Sequence, residues 1–232
     1  MHDCTLTTVP ARLVAILAAR VVAASAALVT LASCVDNPYS LGSDAPVAAP
    51  NGEAGASTSP NDCNSACSGP GHSCREGTCV IDCAPGECAR TVQCPPGIPC
   101  QITCTVDACP AGIDCADASA CTVICTGERA CGGTIDCSHA GRCDIGCSGT
   151  DSCSGSVNCG GTRCDAGCGG IRSCPQGVDS TAATTDIDCA GQNACAGPLS
   201  CSGDACLVTC SGRQSCNAGV FCDAPSCVVP AG

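Results

Sequence analysis

The chain has 232 residues, 32 of them cysteine, a formal charge of −12, and no Lys or Trp. Its aromatic residues are Tyr39 and Phe221, which excludes a core built on aromatic rings; the interior must come from Cys, Val, Ile, Ala and Gly, supplemented by covalent cross-links. The nine Arg are scattered with no aromatics between them, which excludes a nucleic-acid face, and the acidity reads as solubility.

Residues 1–33 read as a signal peptide. Arg12 and Arg20 precede the apolar run Val21–Leu31, which is too short to span a bilayer needing ~20 residues. Small residues and a cysteine follow. Leu31-Ala32-Ser33-Cys34 resembles the lipobox of bacterial lipoproteins. That resemblance implies that Cys34 is acylated and becomes the first residue of the mature chain, with two or three acyl chains giving a stable membrane anchor. Val35 follows rather than Asp, which in that family implies the outer membrane or cell surface rather than inner-membrane retention. Residues 34–62 are rich in Pro, Gly, Ser, Ala and Asn without apolar periodicity, which predicts a disordered linker. Residues 63–78 are expected to form an irregular cap.

From Cys79 onward the cysteines keep a fixed rhythm, and 79–232 reads as about seven repeats of period 21, one of them 22. Four cysteine positions recur, here called A, B, C and D; in the unit Cys121–Arg142 they are Cys121, Cys125, Cys131 and Cys137. The stretch from A to B has the pattern C-x-apolar-x-C, with Ile81, Ile102, Val123, Ile145, Ala166, Ile187 and Val208 at its centre. Alternation places A, that residue and B on one face of a short strand. Two residues before D a second file appears: Val92, Ile113, Ile135, Val157, Val178, Leu199 and Val220. Glycine recurs two residues after B, at Gly127, Gly149, Gly170, Gly191 and Gly212, which predicts a corner of positive φ. These features predict an all-β fold, a disulfide-laddered parallel β-solenoid with coils ~4.8 Å apart. Period and shape resemble cysteine-rich right-handed β-helix proteins of the pectate-lyase type. A string of EGF-like knots is the competing architecture; its units are longer and its cysteine spacings uneven.

One repeat lacks two cysteines without losing length: Ser180 stands at D and Thr185 at A. If D bonds the next A, this loss removes one whole disulfide. If A bonded D of its own repeat, Cys164 and Cys201 would both be stranded. The expected bonds are therefore Cys74–Cys79, Cys94–Cys100, Cys115–Cys121, Cys137–Cys143, Cys159–Cys164, Cys201–Cys206 and Cys222–Cys227 from D to A. From B to C they are Cys83–Cys88, Cys104–Cys109, Cys125–Cys131, Cys147–Cys153, Cys168–Cys174, Cys189–Cys195 and Cys210–Cys216. Cys63–Cys67 closes the cap. Metal–thiolate binding is the alternative for so many cysteines. The closest spacing is C-x-x-x-C, and the short C-x-x-C pairs that wrap one ion are absent.

Asp144, Asp165 and Asp186 follow A in consecutive repeats, with Arg142 and Arg163 two residues before the first two. A solvated Arg/Asp ladder is the default reading, and a weak Ca²⁺ site the sharper one. A second polar file holds Asp114, Asp136, Asn158 and Asp179. No nucleophile elbow, P-loop, zinc-protease or dinucleotide motif occurs in a fitting context, so no catalytic residue and no cofactor beyond that weak Ca²⁺ is assigned. The expectation is a secreted, lipid-anchored, non-catalytic interaction protein of the bacterial envelope, with the membrane and an envelope polysaccharide or surface protein as partners. A carbohydrate-active β-helix, a polysaccharide binder or Ca²⁺-dependent lyase, is the alternative. Exposed aromatics would favour sugar binding, and aromatics are nearly absent; flat Thr-x-Thr files would favour ice or mineral, and the outward positions are too mixed for that.

Overall fold

A computed structural model describes residues 60–69, 71–115 and 117–229. The signal segment, Cys34 and most of the linker lie outside these residues. The chain begins with helix α1 (Pro60–Ala66), followed by β1 (His72–Arg75), β2 (Thr78–Cys83), β3 (Val92–Gln93), β4 (Cys100–Cys104), β5 (Ile113–Asp114), β6 (Cys121–Cys125), β7 (Ile135–Cys137) and β8 (Arg142–Cys147). It continues through β9 (Val157–Cys159), β10 (Arg163–Cys168), β11 (Val178–Ser180), β12 (Thr184–Asp188), β13 (Leu199–Cys201), β14 (Ala205–Thr209), β15 (Val220–Cys222) and β16 (Ser226–Val228).

Two sheets wind along one axis. The nine-stranded sheet runs β1-β2-β4-β6-β8-β10-β12-β14-β16, and the seven-stranded sheet takes the odd strands from β3 to β15. All neighbours are parallel except β1 and β2. Register is strict: Cys100 pairs with Cys121 and Ile102 with Val123, then Cys121 with Cys143 and Val123 with Ile145. The fold is a parallel β-solenoid of about 21 residues per coil. The period-two pattern explains the core. Ile81, Ile102, Val123, Ile145, Ile187 and Val208 face Val92, Ile113, Ile135, Val157, Val178 and Leu199, and all are buried.

Disulfides clamp the coil corners. B joins C at every coil, as in Cys83–Cys88, Cys125–Cys131 and Cys210–Cys216. D joins the next A, as in Cys94–Cys100, Cys159–Cys164 and Cys201–Cys206. The corner lengths explain the single 22-residue coil. The first two B–C bonds span five positions, and the D–A bonds beside them span six. From Cys147 onward the spans are six and five. The coil from Cys121 has six at both corners, so one residue has passed from one corner to the other.

The cap departs from expectation. Its residues are not irregular: α1 packs on β1 and β2, and β1 closes the sheet antiparallel. The helix starts at Pro60, inside the stretch assigned to the linker. The bonds are Cys63–Cys74 and Cys67–Cys79, not Cys63–Cys67 and Cys74–Cys79. Cys63 lies in α1 and Cys67 just after its end, one turn on, with the Cys67 N–H bonded to the Cys63 carbonyl at 2.8 Å, so their side chains project to the same side rather than toward each other. Each reaches one of the strand cysteines, Cys74 and Cys79, which face each other in register.

The glycines also act differently from expectation. Gly127, Gly149, Gly170, Gly191 and Gly212 are absent from the positive-φ positions. They are needed because neighbouring coils touch there: a Cβ on Gly149 would lie 1.9 Å from the Gly127 carbonyl oxygen, and one on Gly170 2.0 Å from that of Gly149. Positive φ instead falls on the C cysteines, from Cys88 (55°) to Cys216 (54°), and on the residues two before them from Asp107 to Gln214. A left-handed residue costs ~1 kcal/mol or more. The B–C disulfide and the stacked neighbours hold these corners in place.

Candidate functional site

The first outward face is the Arg/Asp ladder on the strands that start at A. The parallel register stacks Asp144, Asp165 and Asp186 in one file and Arg142, Arg163 and Thr184 in the next. Asp165 is held from two coils. Arg163 Nε donates to its Oδ1 and Oδ2 at 2.9 and 2.7 Å, and Arg142 Nη2 donates to Oδ2 at 3.3 Å. The carboxylate raises the Arg163 pKa through this hydrogen bond and its charge. Where Thr184 replaces the guanidinium, the ladder loses its cation. There Asp186 titrates above its ordinary value. Partial burial is the main cause, the Asp165 and Asp188 charges add to it, and Arg163 opposes it. The three residues proposed from sequence are thus brought together, with the central carboxylate committed to two guanidinium groups.

A second ladder escaped the sequence reading. Its members, two residues before each C cysteine from Cys109 onward, are Asp107, Arg129, Asp151, Arg172, Asn193 and Gln214, all with positive φ. Arg129 donates to both carboxylate oxygens of Asp107, from Nε at 2.7 Å and Nη2 at 2.9 Å. It also pairs with Glu128 at 2.5 Å. Arg172 donates likewise to Asp151, from Nε at 2.6 Å and Nη2 at 2.5 Å. These hydrogen bonds hold the Asp107 and Asp151 carboxyls below their ordinary range. Alternating sign along a stack replaces like-charge repulsion by attraction, although each exposed pair is worth little. The signal was present in the sequence as a column of alternating sign.

The second sheet carries the other polar file in register: Asp114, Asp136, Asn158, Asp179 and Ser200. Asp136 Oδ1 accepts the Ser138 backbone N–H at 3.0 Å and its hydroxyl at 2.7 Å, so this carboxylate caps a turn. An open groove of about 700 Å³ lies between the cap and the first coil, with Ser68, His72, Glu87, Arg90 and Gln93 among its walls. It offers one imidazole, one carboxylate, one guanidinium and the Ser68 hydroxyl.

Sulfur atoms approach one another along the axis. Those of Cys94, Cys115 and Cys121 lie within 4.8 Å, a spacing a soft metal would accept. All 30 cysteines from Cys63 onward are in disulfides, however, so these sulfurs are not thiolates. A cysteine nucleophile is equally excluded among the described residues. None of the described helices is long and apolar enough to cross a membrane. No family model, curated protein or solved structure matches the chain.

Proposed function

We propose that this chain is a secreted, lipid-anchored structural and interaction protein of the bacterial envelope, without catalytic activity of its own. The observation that carries the reading is the pairing of every cysteine from Cys63 onward in disulfides, two in the cap and the rest at coil corners. Such a framework persists in oxidising compartments and is kept reduced in a bacterial cytosol. The apolar segment ending in Leu31-Ala32-Ser33-Cys34 supports export and acylation at Cys34. Outward faces made of ion-paired ladders favour a solvated scaffold over a catalytic cleft. In this reading residues 35–59 tether the solenoid to the outer membrane or cell surface, where it meets polysaccharide or another surface protein. The test is metabolic labelling with a palmitate analogue, with membrane fractionation, of the wild type and Cys34→Ser. Label and membrane association in the wild type and neither in the variant are expected. Equal labelling of both overturns the anchor.

A further inference from the structure

The two ends of the solenoid are finished differently. At the N-terminal end, α1 and the antiparallel β1 close the nine-stranded sheet, and Cys63–Cys74 and Cys67–Cys79 pin them there. Among the described residues β1 and β3 are the edge strands at that end and β16 and β15 at the other, each paired on one side only; no helix packs over the second pair. The outward files also change character there. The file Asp144, Asp165, Asp186 continues as Leu207 and Val228, and the file Asp136, Asn158, Asp179, Ser200 ends on Phe221. Phe221 is 62% exposed, Val228 52%, Val229 47% and Leu207 37%. Soluble proteins blunt sheet edges with charge, and they place the largest apolar residues on a free edge only where something covers them. The only Phe of the chain stands on one.

We propose that this terminal coil is a docking surface for a second copy of the chain, joined tail to tail. Three observations favour a second copy. First, the open end presents two short strands separated by the width of one core, and a surface that matches both edges together is another end of the same solenoid. A twofold axis crossing both sheets sets β16 antiparallel to β16 and β15 antiparallel to β15, an isologous contact. Second, the body is strongly acidic and self-repelling, whereas residues 206–229 carry only Arg213 and Asp223, so two copies meet there without a charge penalty. Third, none of the large exposed apolar residues among the described ones stands at the N-terminal end, where α1 and β1 are pinned by two disulfides, so the apolar collar finds its match in another tail, which favours the closed dimer over a head-to-tail fibre. The apolar collar of Leu207, Phe221 and Val228 then lies at the seam, where partial burial contributes.

Sedimentation equilibrium tests this on the oxidised full chain carrying Cys4→Ser and Cys34→Ser, so that neither lipid nor an unpaired thiol drives association. A monomer–dimer equilibrium stopping at two is expected below about 100 μM, a range set by a small interface. Phe221→Asp with Val228→Asp should weaken it at least tenfold, and Ile171→Asp, at an exposed mid-rod corner, should leave it unchanged. Non-reducing peptide maps with the wild-type pairing of the 30 body cysteines show that each variant is folded. If the double variant fails that check, Leu207→Arg takes its place with the same expected loss. A wild type that is monomeric at about 100 μM, or that polymerises past two, overturns the proposal. So does a dimer indifferent to the folded end variants.

Discussion

The coil without its D–A disulfide gives a quantitative test of what the corner bonds contribute. Ser180 and Thr185 occupy the two vacant positions, and their hydroxyls hydrogen-bond at 2.6 Å, both side chains buried. Ser180 Oγ also accepts the Ala182 backbone N–H at 3.3 Å. A hydrogen bond therefore stands where neighbouring coils have Cys159–Cys164 and Cys201–Cys206, which span the same five positions. Restoring the bond with Ser180→Cys plus Thr185→Cys closes a loop of about six residues, which the chain-entropy model values at ~2 kcal/mol. The lost hydrogen bond subtracts ~1 kcal/mol, leaving a gain of about 1 kcal/mol. For a chain of this size that raises Tm by ~2–4 °C. Ser180→Ala is expected to cost ~2 kcal/mol, because the Thr185 hydroxyl is left buried without its partner. Hydrogen exchange localises both effects. The amides of Thr181 and Ala183, bonded to the Cys159 and Gly161 carbonyls at 2.9 and 3.0 Å, should exchange more slowly in the double cysteine variant and faster in Ser180→Ala. An unpaired or cross-paired 180/185 in the double variant, or unchanged exchange in Ser180→Ala, would refute the corner geometry.

Three further outcomes are expected. Gly170→Ala should destabilise by ~3 kcal/mol, since its Cβ meets the Gly149 carbonyl oxygen, while Gly169→Ala next to it, with nothing within 4 Å, should be tolerated; thermal melts compare them. Carboxyl NMR titration should place Asp107 and Asp151 below 3.8 and Asp186 above it. The signs are opposite: the lowered pair contributes stability above pH 3.8 that is lost on acidification through their lowered values. Asp186 holds its proton longer in the fold than in the unfolded chain, so its stabilising share fades as pH rises through its raised value. Calorimetry with millimolar Ca²⁺ should show no saturable heat, because Arg142 and Arg163 already compensate Asp165; saturable binding lost in Asp186→Asn would instead make the ladder a cation site.

Much of the fold was legible because the molecule repeats itself. Seven aligned copies turn each position into a column, and a column such as Ile81, Ile102, Val123 and Ile145 states its direction by alternation alone. The broken coil identified corner pairing because two absences five positions apart are one event. What escaped lay where columns fail or where the reason is steric. The cap occurs once, so no neighbour showed that Cys63 and Cys67 reach Cys74 and Cys79 separately. The recurring glycine was visible, but close approach between coils and positive φ leave the same mark in a sequence, and the structure assigns positive φ to Cys131 and its equivalents. The Asp107–Arg129 and Asp151–Arg172 pairs lie in a column outside the strands, where no alternation marks which residues face each other.

The most direct test of the whole account is peptide mapping of the unreduced protein across the broken coil. In this structure every disulfide from Cys83 onward closes one corner, and none ties one coil to a distant one. Peptides joining Cys159 to Cys164 and Cys201 to Cys206 are predicted. A peptide joining Cys164 to Cys201 would contradict the corner clamp and the solenoid argument built on it.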